Sequence, residues 1–121
     1  KVYKRKLNHR HVRTAITMLR AYGTGWGRPA DADKQLAGDG GGIAYLRFFG
    51  LSEEQPHDPG ENRSGVWRLT EKGEAWVRGQ LTCPKYARVY DARVLGHEGP
   101  EVGVETALGK RFDYKELMAG V

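Results

Sequence analysis

The sequence predicts an α+β domain. It should hold three helices, a strand–loop–strand unit with a following helix, then a β-hairpin and a short terminal helix. Three observations predict this. Apolar residues recur at spacings of three and four over residues 8–22, which is the helical period. Residues 66–70 alternate in character, which is the strand period, and 86–90 and 93–96 flank a two-residue turn as the arms of a hairpin would. The chain of 121 residues is 39% hydrophobic and 29% charged, the composition of one globular domain with at most a small appendage. Three segments are expected: a basic arm over 1–7, a principal domain over 8–79, and a hairpin-plus-helix appendage over 80–121.

The first helix runs from Asn8 to Tyr22. Val12, Ala15, Ile16, Leu19 and Tyr22 fall on one face, and Arg10, Arg13, Thr14, Thr17 and Arg20 fall outside it. Asn8 suits the N-cap and Gly23 the C-terminal stop. The turn-rich Gly23–Pro29 follows. Its alternating glycines do not follow a strand, so they lack the context of a nucleotide-binding loop. Pro29 to Leu36 can form a short second helix, with Pro29 in the first turn. The run Gly38–Gly42 breaks it, and a third helix is expected over about 42–49 with Ile43, Leu46 and Phe49 inward. Gly50 ends that helix and Leu51 begins an extended piece.

Residues 52–65 read as a polar loop, and Val66–Thr70 as a strand. Thr70 can cap a fourth helix over 71–78, closed by Gly79. Trp67 and Trp76 belong to the expected core. Tyr86–Tyr90 and Arg93–Gly96 flank Asp91-Ala92 as a hairpin, a poorer turn pair than Asp-Gly. Residues 101–109 read as a short strand leading into a helical turn. Asp113 and Glu116 form a capping box for a last helix through Met118.

Charge is the first functional signal. The net charge is +5, yet residues 1–30 carry eight basic side chains and no acid, while residues 31–121 are net acidic. A field so concentrated is the footprint of a polyanion-binding surface. No apolar stretch approaches the length of a membrane span, and the basic start lacks a signal-peptide core. A reduced cytosolic setting fits the lone Cys83. His9, His11, His57, His97 and Cys83 show no spacing that makes a tetrahedral metal set, so no metal and no cofactor are expected. His97 with Glu98 has nothing to orient it, and Glu53 and Glu54 point apart, so no catalytic pair is expected and the chain reads as a non-enzyme.

The segment Val66-Trp67-Arg68-Leu69-Thr70-Glu71-Lys72-Gly73-Glu74-Ala75-Trp76-Val77 resembles the last strand and following helix of winged helix-turn-helix proteins, many of them bacterial repressors. Tyr45-Leu46-Arg47-Phe48-Phe49-Gly50-Leu51 is similar to the end of their recognition helix, and 52–65 falls where the wing belongs. The resemblance covers residues 8–79. The remainder, from Pro84-Lys85-Tyr86 to Met118, resembles the endings of uncharacterised bacteriophage and prophage proteins. Together these imply a phage-encoded double-stranded DNA-binding protein, cytoplasmic in a bacterial host, with transcriptional regulation as the role the resemblance suggests.

On that reading Lys4, Arg5, Lys6, Arg10 and Arg13 neutralise phosphates. Tyr45 and Arg47 lie outward on the third helix, with Arg47 placed to read a guanine edge. Asn62, Arg63 and Ser64 sit in the wing, where an arginine can enter the minor groove. The second helix is acidic at Asp31 and Asp33, which disfavours close approach to DNA there and moves the contact toward the basic arm and first helix. The alternative is a module that contacts a host protein such as a polymerase or a defence complex. Phe48 would then face the partner, because Phe48 and Phe49 cannot both point inward on one short helix. The tail either pairs two copies into a homodimer, to match a two-fold operator, or simply covers the core.

Overall fold

In the computed structural model, which describes residues 1–36, 40–61 and 64–121, the helix α1 (His9–Tyr22) is the element around which the others pack. Asn8 caps it, its Oδ1 accepting from the Arg10 amide at 3.0 Å. His11 returns the favour: its Nδ1 accepts the Asn8 amide at 3.0 Å, completing a reciprocal capping box. The Gly23 amide closes the far end onto Leu19 O at 2.9 Å. Val12, Ala15, Ile16 and Leu19 are buried, as their spacing predicts. Thr14 differs from expectation and is buried too. It faces the Asp33–Leu36 segment, which covers a flank of α1 that a two-faced helix would leave to solvent.

Before α1 comes the strand β1 (Tyr3–Lys6); after it come α2 (Pro29–Ala32) and a 3-10 turn over Lys34–Leu36. The second helix is therefore shorter than predicted. Asp33 is extended, and its carboxylate accepts the Gln35 amide at 2.9 Å. This local side-chain bond competes with continuation of the helix. The expected break at Gly38 and Asp39 lies outside the described residues. The third helix, α3 (Gly40–Arg47), starts earlier than predicted and passes into a turn over 48–50; Ile43, Leu46 and Phe49 are buried.

The strands β2 (Ser52–Glu54) and β3 (Trp67–Leu69) pair antiparallel, Ser52 opposite Leu69 and Glu54 opposite Trp67. Gly27 adds a bridge on the other side of β3, with both backbone bonds to Trp67 at 2.8–2.9 Å. The helix α4 (Glu71–Val77) follows at once. Thr70 Oγ1 accepts the Gly73 amide at 3.0 Å and donates to Gly50 O at 2.7 Å. At Gly73 the helix presses on the backbone of Leu51 so closely that a Cβ would sit 2.0 Å from Leu51 O.

The C-terminal third pairs with the start of the chain. The strands β4 (Cys83–Tyr90) and β5 (Arg93–Val102) form the predicted hairpin, and β1 pairs antiparallel with β4, giving a sheet in the order β1-β4-β5. The basic start is thus an edge strand rather than an arm. It pairs along residues 86–89. Asp91 and Ala92 both have positive φ, 50° and 60°, as a two-residue type I′ turn requires. The helices α5 (Val104–Leu108) and α6 (Tyr114–Met118) then return to α1. Val104 and Leu108 join Trp67, Trp76 and the α1 residues in one apolar cluster. Trp76 Nε1 donates to Val102 O at 3.2 Å, and Asp113 caps α6 through the Glu116 amide at 3.2 Å. No helix among the described residues is long and apolar enough to cross a membrane.

Two substitutions test this packing by thermal or denaturant unfolding. Gly73→Ala must push α4 off Leu51 and should cost about 1–3 kcal/mol. Ala92→Gly removes a left-handed non-glycine residue and should stabilise by about 0.5–1 kcal/mol, part of the steric relief being offset by the flexibility glycine gives the unfolded chain.

Candidate nucleic-acid interface

Because β1 leads directly into the capped start of α1, three strand cations and one helix cation converge. Lys4, Arg5, Lys6, Asn8, Arg10, His11 and Tyr45 line an open cleft of about 280 Å³, and none of these described lining residues is acidic. The cleft sits at the N-terminus of α1. The first turn of that helix contains no acid, so the positive end of its dipole has no carboxylate to balance it.

Aromatic rings hold the cations in place. His11 and Tyr45 stack with centroids 4.5 Å apart and planes 13° apart, forming the floor. The Arg5 guanidinium lies 4.4 Å from the Tyr3 centroid and 5.5 Å from that of Tyr45. The Lys4 ammonium lies 4.3 Å from the Tyr86 centroid and 3.6 Å from a Glu98 carboxylate oxygen. Both members of that ion pair are well exposed. Such pairs contribute little, so a phosphate can replace Glu98 at small cost. Beside this cleft a second groove runs along α1, lined by Arg10, Arg13, Thr14, Thr17, Asp33, Gln35 and Leu36. Arg13 lies over Phe112, 4.9 Å from its centroid.

The structure therefore brings together Lys4, Arg5, Lys6, Arg10 and Tyr45, with Arg13 one turn further along α1. Tyr45 is a half-buried floor residue rather than an outward-facing one. Arg47 lies apart from this cleft, in the last turn of α3, with its guanidinium 5.4 Å from the Phe48 centroid. Ser64 is tied into its own turn: its Oγ accepts the Val66 amide at 3.2 Å and its carbonyl accepts Arg28 Nη1 at 3.0 Å. Asn62 and Arg63 lie outside the described residues. Phe48 is half-buried against the core, its ring edge-on to Tyr45 at 5.7 Å, and His97 Nε2 lies 2.8 Å from its carbonyl.

Sequence reasoning missed the roles of Asn8 and His11 in the cleft. The signal was present as an N-cap residue followed three positions later by a side chain able to accept its amide. Histidine in place of the usual Glu or Gln hid it. The same choice keeps negative charge away from the cleft.

The remaining reactive groups belong to the packing. Cys83 is 1% exposed. Burial pushes its thiol up to about 11, with Lys72 opposing the rise and Glu101 adding to it. Tyr114 is also raised, mainly by burial and further by Glu105 against the pull of Arg78, and its hydroxyl donates to Val77 O at 2.5 Å. Among the described residues no group of three or more His, Cys, Asp or Glu side chains could hold a metal ion. No protein-family model matches the chain, and no curated protein and no solved structure is significantly similar to it.

The Cys83 environment makes a direct prediction. A thiol with a pKa near 11 is only about one part in a thousand thiolate at pH 8. Alkylation by iodoacetamide at that pH should be at least about a hundredfold slower in the folded protein than in denaturant, as followed by mass spectrometry. Equal rates would mean that the thiol is neither buried nor shifted.

Proposed function

We propose that this protein binds double-stranded DNA chiefly through the phosphate backbone. The observation that carries the proposal is the gathering of Lys4, Arg5, Lys6 and Arg10 in one cleft at the N-terminus of α1, whose first turn has no balancing acid. Phosphate oxygens suit such a site twice over, by charge and by the dipole. Ring contacts hold Lys4 and Arg5 in position before the ligand arrives, so less side-chain freedom is lost on binding.

A winged helix-turn-helix arrangement over residues 8–79 is part of the same reading. Its support is the succession α1, α2, α3, β2, β3, α4, with Gly27 bridging β3 as a third, minimal strand. In such domains the N-terminal residues of the recognition helix reach the base edges. Here that end of α3 is Gly40-Gly41-Gly42, which supplies no side chain to read a base. Arg47 lies at the opposite end, against Phe48. Affinity from phosphates with little sequence preference is the outcome this arrangement favours. A regulator of phage or prophage origin remains the setting that the resemblance implies. Broad duplex binding would then serve it either directly or as the non-specific component of a selective contact.

The test is fluorescence anisotropy with random-sequence duplex DNA across a salt series. Changing Arg10 and Arg13 together to Ala should weaken binding on every sequence. It should also reduce the steepness of log K against log salt by about 2, since each phosphate contact contributes about 0.9. Unchanged affinity and slope would exclude the α1 face from the interface.

A further inference from the structure

We propose that the outer face of the β1-β4-β5 sheet, at the hairpin end, is a second nucleic-acid surface that takes a single strand, with Tyr90 as the stacking platform. The register fixes which side chains share this face. Along β4, Cys83, Ala87 and Val89 point to the core and are buried, so Tyr86, Arg88 and Tyr90 point away from it. Lys4 is the partner of Arg88 and Arg93 the partner of Tyr90, and opposed residues in an antiparallel pair share a face. Tyr90, Arg88, Arg93 and Lys4 thus form one exposed group. The nearby acids are Asp91, in the turn, and Glu98, already paired with Lys4.

The tyrosines of this region differ in one respect. Tyr3, Tyr45 and Tyr86 each carry a cation of the protein's own over the ring, at 4.4, 5.5 and 4.3 Å. Among the described residues no cation or ring lies over Tyr90, which is 50% exposed. Val94 and Leu95 are exposed at the same end of the hairpin, Val94 on the other face as the partner of Val89. An open ring that shares a sheet face with two arginines is the combination that holds unpaired nucleotides: the bases stack and the arginines meet the phosphates. A duplex keeps its bases stacked on one another and offers Tyr90 nothing of the kind. This favours a single strand over double-stranded DNA at this face. The charge excess favours a polyanion over an apolar protein partner.

Lys4 borders both surfaces, but Tyr90, Arg88 and Arg93 do not line the α1 cleft, so substitutions at these three test the sheet face apart from duplex binding. The experiment measures anisotropy of fluorescein-labelled oligo(dT), oligo(rU) and a duplex at low salt, with the whole chain and its variants Tyr90→Ala, Tyr90→Phe and Arg88→Ala/Arg93→Ala. Unlabelled heparin serves as an anionic competitor without bases. Tyr90→Ala should weaken single-strand binding about fivefold or more. Tyr90→Phe, which keeps the ring, should stay within about twofold, and duplex affinity should not change. Tyr90-dependent binding of only one oligonucleotide supports the surface and identifies which of the two single strands it prefers. The proposal is overturned by absence of single-strand binding, by equal affinity of Tyr90→Ala and the unaltered protein, or by heparin binding that responds to Tyr90→Ala as the oligonucleotides do. Because Tyr90 lies at an exposed strand end, an unchanged melting temperature separates loss of binding from loss of fold. A duplex signal that survives Tyr90→Ala but falls with Arg10→Ala/Arg13→Ala assigns failure or success to each surface separately.

Discussion

The antiparallel pairing of β1 with β4 is the constraint on which the functional surface depends. Four consecutive register pairs, from Tyr3 with Val89 to Lys6 with Tyr86, hold a segment that would otherwise be a solvated basic tail. The pairing is built against an electrostatic penalty, since Lys4 lies directly opposite Arg88 and like charges across a pair repel. Tyr86 and Glu98 offset part of it by taking the Lys4 ammonium between them. The gain is preorganisation. Lysines and arginines on a strand keep a fixed spacing, whereas the same residues on a free arm would have to be ordered by the ligand.

Two further contacts turn this strand into a cleft. The Asn8–His11 cap fixes the angle at which β1 enters α1, and the His11–Tyr45 stack ties that corner to α3. The cleft therefore reports on three parts of the fold at once: the edge strand, the helix start and the third helix. The same core that supports α1 also receives Trp76, Val104 and Leu108. The C-terminal third thus completes the domain and supplies β4, without which β1 has no partner.

Much of the local structure was legible. The α1 stripe, its Asn8 cap, the Thr70 cap of α4, the Asp113 cap of α6 and the hairpin all depend on residues within a few positions of one another. The misreadings came from longer range. Nothing in Tyr3-Lys4-Arg5-Lys6 alternates between apolar and polar, and its partner lies eighty or more residues away, so periodicity could not reveal a strand. Thr14 looked like a surface residue because the segment that covers it is distant in sequence. The shortening of α2 rested on a single Asp33 side-chain bond. Gly27 and Gly73 were visible as glycines, but the Tyr22 ring and the Leu51 backbone that require them were not. For the candidate site, the cations could be read as a group. Their convergence on the start of α1, the burial of Tyr45 as a floor and the separation of Arg47 from the cleft could not.

The most direct test of the account is a two-dimensional amide NMR titration of the labelled protein with a short duplex, repeated at raised salt. The account predicts progressive shifts at Lys4, Arg5, Lys6, Arg10 and Tyr45 that collapse as salt is added, because the contact is with phosphates. Shifts that spare β1 and the first turn of α1 while moving other elements, or no shifts at low salt, would contradict it.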